Sequence, residues 1–117
     1  MNRRNFVKER LKDRLDARIA RHVRATYEMI DVEPKQGLFN YQCFDNASEW
    51  ARKHPGHEVV EVMYIERGSP RLHYVNFNPK SGKYLETTLG YKAPRLEYYR
   101  LRAIHPSDHL CIIDERV

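Results

Sequence analysis

Residues 3–30 contain no glycine and no proline, and Arg, Leu, Ala, Lys and Glu are prominent among them. That composition predicts one long helix covering the first part of the chain. Val7, Leu11, Leu15, Ile19, Val23 and Tyr27 recur at every fourth position. With about 3.6 residues per turn, each step of four moves the apolar face round by about 40°, so the stripe winds about the helix. A plain coiled coil needs a period of about 3.5. The winding stripe suits a helix laid over a curved body, with its later turns docked and its first turns projecting.

Charge separates this helix from the rest. Positions 1–24 hold nine Lys or Arg and three acids, a balance of +6, whereas the remaining twelve basic and thirteen acidic residues sum to −1. The expected division is therefore a basic N-terminal helix or arm, 1–30, and a single α+β domain, 31–117. A basic helix can dock on nucleic acid or on an acidic protein, Arg3, Arg4, Lys8, Arg10, Arg14, Arg18 and Arg21 being the candidate contacts. Its bland alternative is a solvated face with charges of both signs one turn apart. Phe6 is the one Phe, Tyr or Trp among those charges, which disfavours stacking on single strands.

A chain of 117 residues with 41% hydrophobic content can fill one modest core. No apolar run approaches the ~20 residues that cross a bilayer. The start, Met1-Asn2-Arg3-Arg4-Asn5, lacks the apolar stretch of a secretory signal. Two cysteines, Cys43 and Cys111, make no disulfide framework. Together these features predict a cytoplasmic protein with free thiols and no membrane association.

Beyond the break at Pro34 and Gly37, a second helix is expected over residues 44–54, with Phe44, Ala47, Trp50 and Ala51 on one face. From Glu58 the pattern becomes strand-like. Strands are expected over 58–66, 71–77 and 83–89, with a turn at Asn78-Pro79-Lys80-Ser81-Gly82. Residues 96–101 read equally as strand or short helix, and Leu110–Ile113 as an edge strand. The fold class is thus α+β: a long N-terminal helix, and a central Cys-bearing helix packed on an antiparallel sheet of three to five strands.

Three residues in this framework carry chemistry. Cys43 stands where the second helix begins, and exposed N–H groups and the helix dipole stabilise a thiolate there. His73 lies in Arg71-Leu72-His73-Tyr74-Val75, and Glu86 in Tyr84-Leu85-Glu86-Thr87-Thr88. A four-residue loop over 79–82 pairs Asn78 with Lys83, sets Glu86 opposite Val75, and leaves it one diagonal step from His73. Diagonal neighbours on one face lie about 7–8 Å apart, within reach of a Glu side chain. An imidazole beside a thiol can take its proton, and a carboxylate can hold the ring in the useful tautomer.

A helix opening on Cys, followed by strands that carry His and then an acid, resembles the papain-like superfamily. The likeness is nearest to its small NlpC/P60- and transglutaminase-like members and covers roughly residues 36–90. It rests on Tyr41-Gln42-Cys43-Phe44-Asp45-Asn46-Ala47, Leu72-His73-Tyr74-Val75-Asn76 and Tyr84-Leu85-Glu86-Thr87-Thr88. The resemblance implies Cys43 as nucleophile, His73 as base and Glu86 as orienting acid, where transglutaminase-like members usually have Asp. It makes Gln36 and Gln42 candidates for binding the oxyanion, and Asn76 a weaker substitute for Glu86. The implied activity is hydrolysis or acyl transfer at an amide or ester of a peptide or protein, without a cofactor or metal.

Ordinary alternatives stand beside each assignment. Free Cys is often a small buried hydrophobe, the expectation adopted for Cys111. His73, between Val75 and Phe77 on one face, could be a core histidine, and Glu86 the wet side of a strand. The His54/His57 and His105/His109 pairs have metal-like spacing but lie in proline-containing turns with no cysteine pair beside them. A non-catalytic small binding protein, of a compact phage-like type, is the rival to the enzyme.

Overall fold

The computed structural model describes residues 3–38 and 40–105. Helix α1 spans Arg3–Thr26 and helix α2 Cys43–Lys53. The strands are β1 (Glu28–Ile30), β2 (Val32–Pro34), β3 (Glu58–Glu66), β4 (Ser69–Asn78), β5 (Lys83–Glu86) and β6 (Glu97–Ile104), with a 3-10 helix at Gly90–Arg95. The α+β class is as the sequence predicts. The sheet is larger than expected, with six strands in the order β1-β6-β3-β4-β5-β2, and one pair, β2 with β5, is parallel.

The two edge strands are consecutive in the chain, separated by Asp31 alone. The sheet therefore curls until its edges adjoin. A bulge in the β3–β6 pairing at Glu61/Val62 adds local bend. Even-numbered residues of β3 face inward, where Val60 and Val62 pack with Ile30, Val75, Ala93 and Tyr98. Odd-numbered ones face outward. There Val59 meets Phe44, Ala47 and Tyr74 under α2, and Ile65 meets Ala20, Val23 and Tyr99 under α1.

One expectation about the helices changes. Residues 28–30 are strand rather than the end of α1, because Ile30 enters the inner core and Met29 pairs with Tyr99 on β6. The later turns of α1 dock, as the winding stripe implies: Ala20 and Val23 are buried, while Leu11 and Leu15 are more than half exposed. The segment 96–101 resolves as strand, since Tyr98 and Tyr99 pair with Tyr64 and Met63 of β3. Leu110–Ile113 and Cys111 lie outside the described residues.

Hairpin chemistry sets the register. Arg67 and Gly68, both with positive φ, close β3 onto β4, as two-residue turns of primed type require. At the next turn the N–H groups of Lys80 and Gly82 bond to Oδ1 and O of Asn78, with Gly82 at φ 72°. Asn78 pairs with Lys83, Phe77 with Tyr84 and Asn76 with Leu85, the register predicted from the loop length.

Candidate active site

Helix α2 does not lie over the sheet face that carries His73, as a helix packed above that face would. Its apolar side rests on the outer face, and Asn76 fastens it there by donating to the Ala47 carbonyl at 2.8 Å. Asn76 in turn accepts the Thr87 hydroxyl at 3.0 Å, so it joins α2 to the chain after β5 and does not meet His73. The reason Cys43 still reaches His73 is the shortness of β5. Pairing with β4 stops at Asn76–Leu85, and the chain turns away after Glu86. Through that gap the first residue of α2 enters a cavity of about 460 Å³ that Cys43 and His73 both line.

The approach to Cys43 is held by side-chain amides. Asn40 Oδ1 accepts the Gln42 N–H at 3.1 Å and the Asn46 amide at 2.9 Å, and Asn46 also donates to Thr88 Oγ1 at 2.9 Å. Asn46 sits one helical turn after Cys43 and is buried. These bonds hold Tyr41 at φ 56°, a left-handed conformation uncommon for a non-glycine residue, and the residue is 97% exposed beside the cavity.

Beneath the cavity is a buried ion pair. His73 Nε2 donates to Glu86 at 3.0 Å to Oε1 and 2.9 Å to Oε2. Glu86 Oε1 also accepts the N–H groups of Thr88 (3.0 Å) and Leu89 (3.1 Å), and Oε2 accepts the Tyr98 hydroxyl at 2.5 Å. His73 and Glu86 are 3% and 0% exposed, so neither is a wet strand face. Burying a charge is tolerated only with such full pairing.

The electrostatics follow from these bonds. Burial opposes charge on His73, but its hydrogen bonds with Cys43 and Glu86 outweigh that, and the ring is pushed up to about 9. Nε2 is committed to Glu86, which leaves Nδ1 as the ring nitrogen to meet Cys43. Burial alone would raise Glu86; the His73 bond and charge, the Tyr98 hydroxyl and the Leu89 N–H hold it below the ordinary carboxylate value. Burial and then the Glu86 charge push Tyr98 far above the usual phenol range, so it remains a donor.

The other candidates fall elsewhere. Gln36 donates its amide to the Thr87 carbonyl at 3.0 Å and is not among the residues lining the cavity. Gln42 is the exposed N-cap residue of α2 and makes no side-chain cap bond. Lys8, Arg10, Arg14, Arg18 and Arg21 are exposed on α1, remote in sequence from the cavity lining, and the side chains of Arg3 and Arg4 lie outside the described part. Trp50 stacks on His54 and donates its indole N–H to His57 Nδ1 at 3.1 Å, which occupies a lone pair that a metal would need. His109 is outside the described residues. A larger opening of about 890 Å³ adjoins His57 and His105, but the Ser48 Oγ there has no hydrogen-bond partner and so meets no base.

Tyr98, Asn46, Thr88, Arg71 and Lys92 are the site residues that the sequence did not single out. A signal existed for Tyr98 only in the doubled aromatic of Glu97-Tyr98-Tyr99, once 96–101 is taken as a strand. Compared with family models, curated proteins and solved structures, the chain matches none. The papain-like resemblance therefore rests on the three sequence patches alone.

Proposed function

We propose that the protein is a cysteine hydrolase or acyltransferase acting on an amide or ester, with chemistry of the papain-like kind. The observation that carries this reading is the meeting of Cys43 and His73 in one open cavity, with His73 held from behind by a fully buried Glu86. A histidine kept only for packing has no need of an ionised carboxylate with four donors around it.

In this mechanism His73 enters as imidazolium and Cys43 as thiolate. The sulfur attacks the carbonyl carbon, an S–C bond forms, and the C=O electron pair moves onto oxygen. The N–H groups and dipole of the first turn of α2 stabilise that oxyanion. As the tetrahedral adduct collapses, the C–N or C–O bond breaks and His73 gives its proton to the leaving group. The thioester has lost the sulfur's charge, and with it part of what raised His73, so the ring now serves as base. It takes a proton from water or another nucleophile, the C–S bond breaks, and thiolate and imidazolium return. Glu86 stays ionised throughout and keeps Nε2 protonated.

The test is acylation by p-nitrophenyl acetate followed by mass spectrometry. One acetyl group on Cys43 that turns over, absent in Cys43→Ala and trapped or never formed in His73→Ala, is the expected result. Acetylation no faster than that of free glutathione would remove the reading.

A second reading concerns α1. Leu11, Leu15 and Ile19 are exposed, and Lys8, Lys12, Arg14 and Arg18 flank the Leu11–Leu15 strip. Glu9, Asp13 and Asp16 fall on the side of Ala20 and Val23, where Asp16 accepts the Ser69 hydroxyl at 3.3 Å. An apolar strip bordered by bases fits an acidic amphipathic segment of a partner protein; a second copy would bring like charge. A designed helical peptide with leucines flanked by glutamates should bind, and lose binding when Leu11 and Leu15 become Ser. Binding to duplex DNA that weakens steeply with salt and ignores those leucines would assign the helix to nucleic acid instead.

A further inference from the structure

The cavity beside Cys43 is not neutral. Arg71 and Lys92 both line it, one from β4 and the other from the 3-10 helix. Neither has an ion-pair partner among the described residues. Their placement is fixed by the same register that fixes His73. Arg71 stands two residues before His73 on the same face, about 7 Å along the strand, and directly opposite Tyr64. The charge of Arg71 is felt at the Tyr64 hydroxyl, where it partly offsets the upward push of burial.

One acid lies on this side. Glu66 pairs with Ser69 at the hairpin end, four residues from His73 along the strand direction, about 13 Å away. Arg71 therefore stands between Glu66 and the reacting atoms. Thr88 also lines the cavity, its hydroxyl already bonded by Asn46, and beside it are Leu72, Leu89, Leu96 and the exposed Tyr41. Glu86, the other acid at the site among the described residues, is fully buried and its charge is balanced by His73.

We infer that the substrate carries an anionic group, a carboxylate or phosphate, close to the carbonyl that Cys43 attacks, and that Arg71 and Lys92 hold this group at the mouth of the cavity. Two cations approaching from separate elements would fix the orientation of such a group as well as attract it. The inference rests on Cys43 being a reactive thiol, and it adds the charge of what that thiol accepts.

Paired alkylating reagents separate the two claims. Iodoacetamide and iodoacetate place the same reactive carbon on sulfur, but only iodoacetate is an anion. Free glutathione reacts faster with the neutral reagent. At Cys43 the iodoacetate-to-iodoacetamide rate ratio should exceed that of glutathione by about tenfold, the low end of electrostatic enhancement in a charged cleft. The excess should shrink as salt rises. Arg71→Gln combined with Lys92→Gln should return the ratio to the glutathione value; both side chains are exposed, so neither substitution strains the fold. A fast iodoacetamide reaction with a ratio equal to glutathione, unmoved by the double substitution, would overturn the anion site and leave the hydrolase standing. Cys43 reacting with both reagents no faster than glutathione would overturn both.

Discussion

The interior of the curled sheet and the free half of α1 treat charge in opposite ways. Around Glu86 every polar atom has a partner fixed by backbone register: two N–H groups, a phenol and an imidazole converge on one carboxylate. Along α1 between Lys8 and Ile19 the basic side chains are exposed and the leucines beside them are uncovered. The first arrangement is over-determined, and it costs desolvation that only complete pairing offsets. The second is under-determined and leaves its surface for another molecule to cover. The proposed chemistry uses the first region and the proposed partner contact the second.

The sharpest way to break this contrast is to remove the carboxylate. Glu86→Ala leaves Tyr98, His73 and two N–H groups without an acceptor, and should destabilise the fold by about 3–5 kcal/mol in urea unfolding. Leu15→Ala on the free half of α1 should change stability by no more than about 0.5 kcal/mol. Equal effects at the two positions would mean that the interior pair is not assembled as described.

The pH dependence of stability is a second discriminator. His73 is raised in the folded state from an ordinary 6.5 to about 9. Its contribution is therefore complete below pH 6.5 and disappears as pH rises through 9, a loss on the order of 3 kcal/mol. Glu86 is lowered, so its contribution holds above the ordinary carboxylate range and is lost as pH falls through its folded value. Urea midpoints should fall on both sides of a plateau between about pH 5 and 6.5. His73→Gln should flatten the alkaline side, whereas substitutions at Lys8 to Arg18 should leave the profile as it is.

A smaller effect refines the interior. Tyr98→Phe keeps the ring and removes one hydroxyl from Glu86, which should cost about 1.5–3 kcal/mol, as for hydrogen bonds to charged groups. Because that donor helps hold Glu86 ionised, the acid limb of the stability profile should move to higher pH. A loss of stability with no movement of that limb would make Tyr98 a packing residue only.

How much of this was readable beforehand depends on the length of the signal. The β4–β5 register followed from one turn, Asn78 to Gly82, because the loop length and the proline and glycine positions left few pairings. His73 and Glu86 on one face came with it. Strands β1 and β2 were not legible, since three residues around Asp31 show no period and Pro34 reads as a break. Without them the curl of the sheet was hidden, and so was the inner position of His73 relative to α2. The donors to Glu86 were hidden for the same reason: Tyr98 reaches it across a bulged β3–β6 pairing that no local pattern encodes. The amide candidates Gln36 and Gln42 came from the resemblance rather than from geometry, and Gln36 turned out to hold the Thr87 carbonyl.

The central claim is that Cys43 and His73 share a proton as a working pair. The direct measurement is the iodoacetamide alkylation rate of Cys43 from pH 5 to 10, in the intact chain and in His73→Ala. The rate should already be high near neutral pH, with its midpoint well below the free-thiol value of about 8.5. In His73→Ala the midpoint should move up toward that value and the rate at pH 6.5 should drop by about tenfold or more. A wild-type midpoint near 8.5 that His73→Ala leaves in place would contradict that claim.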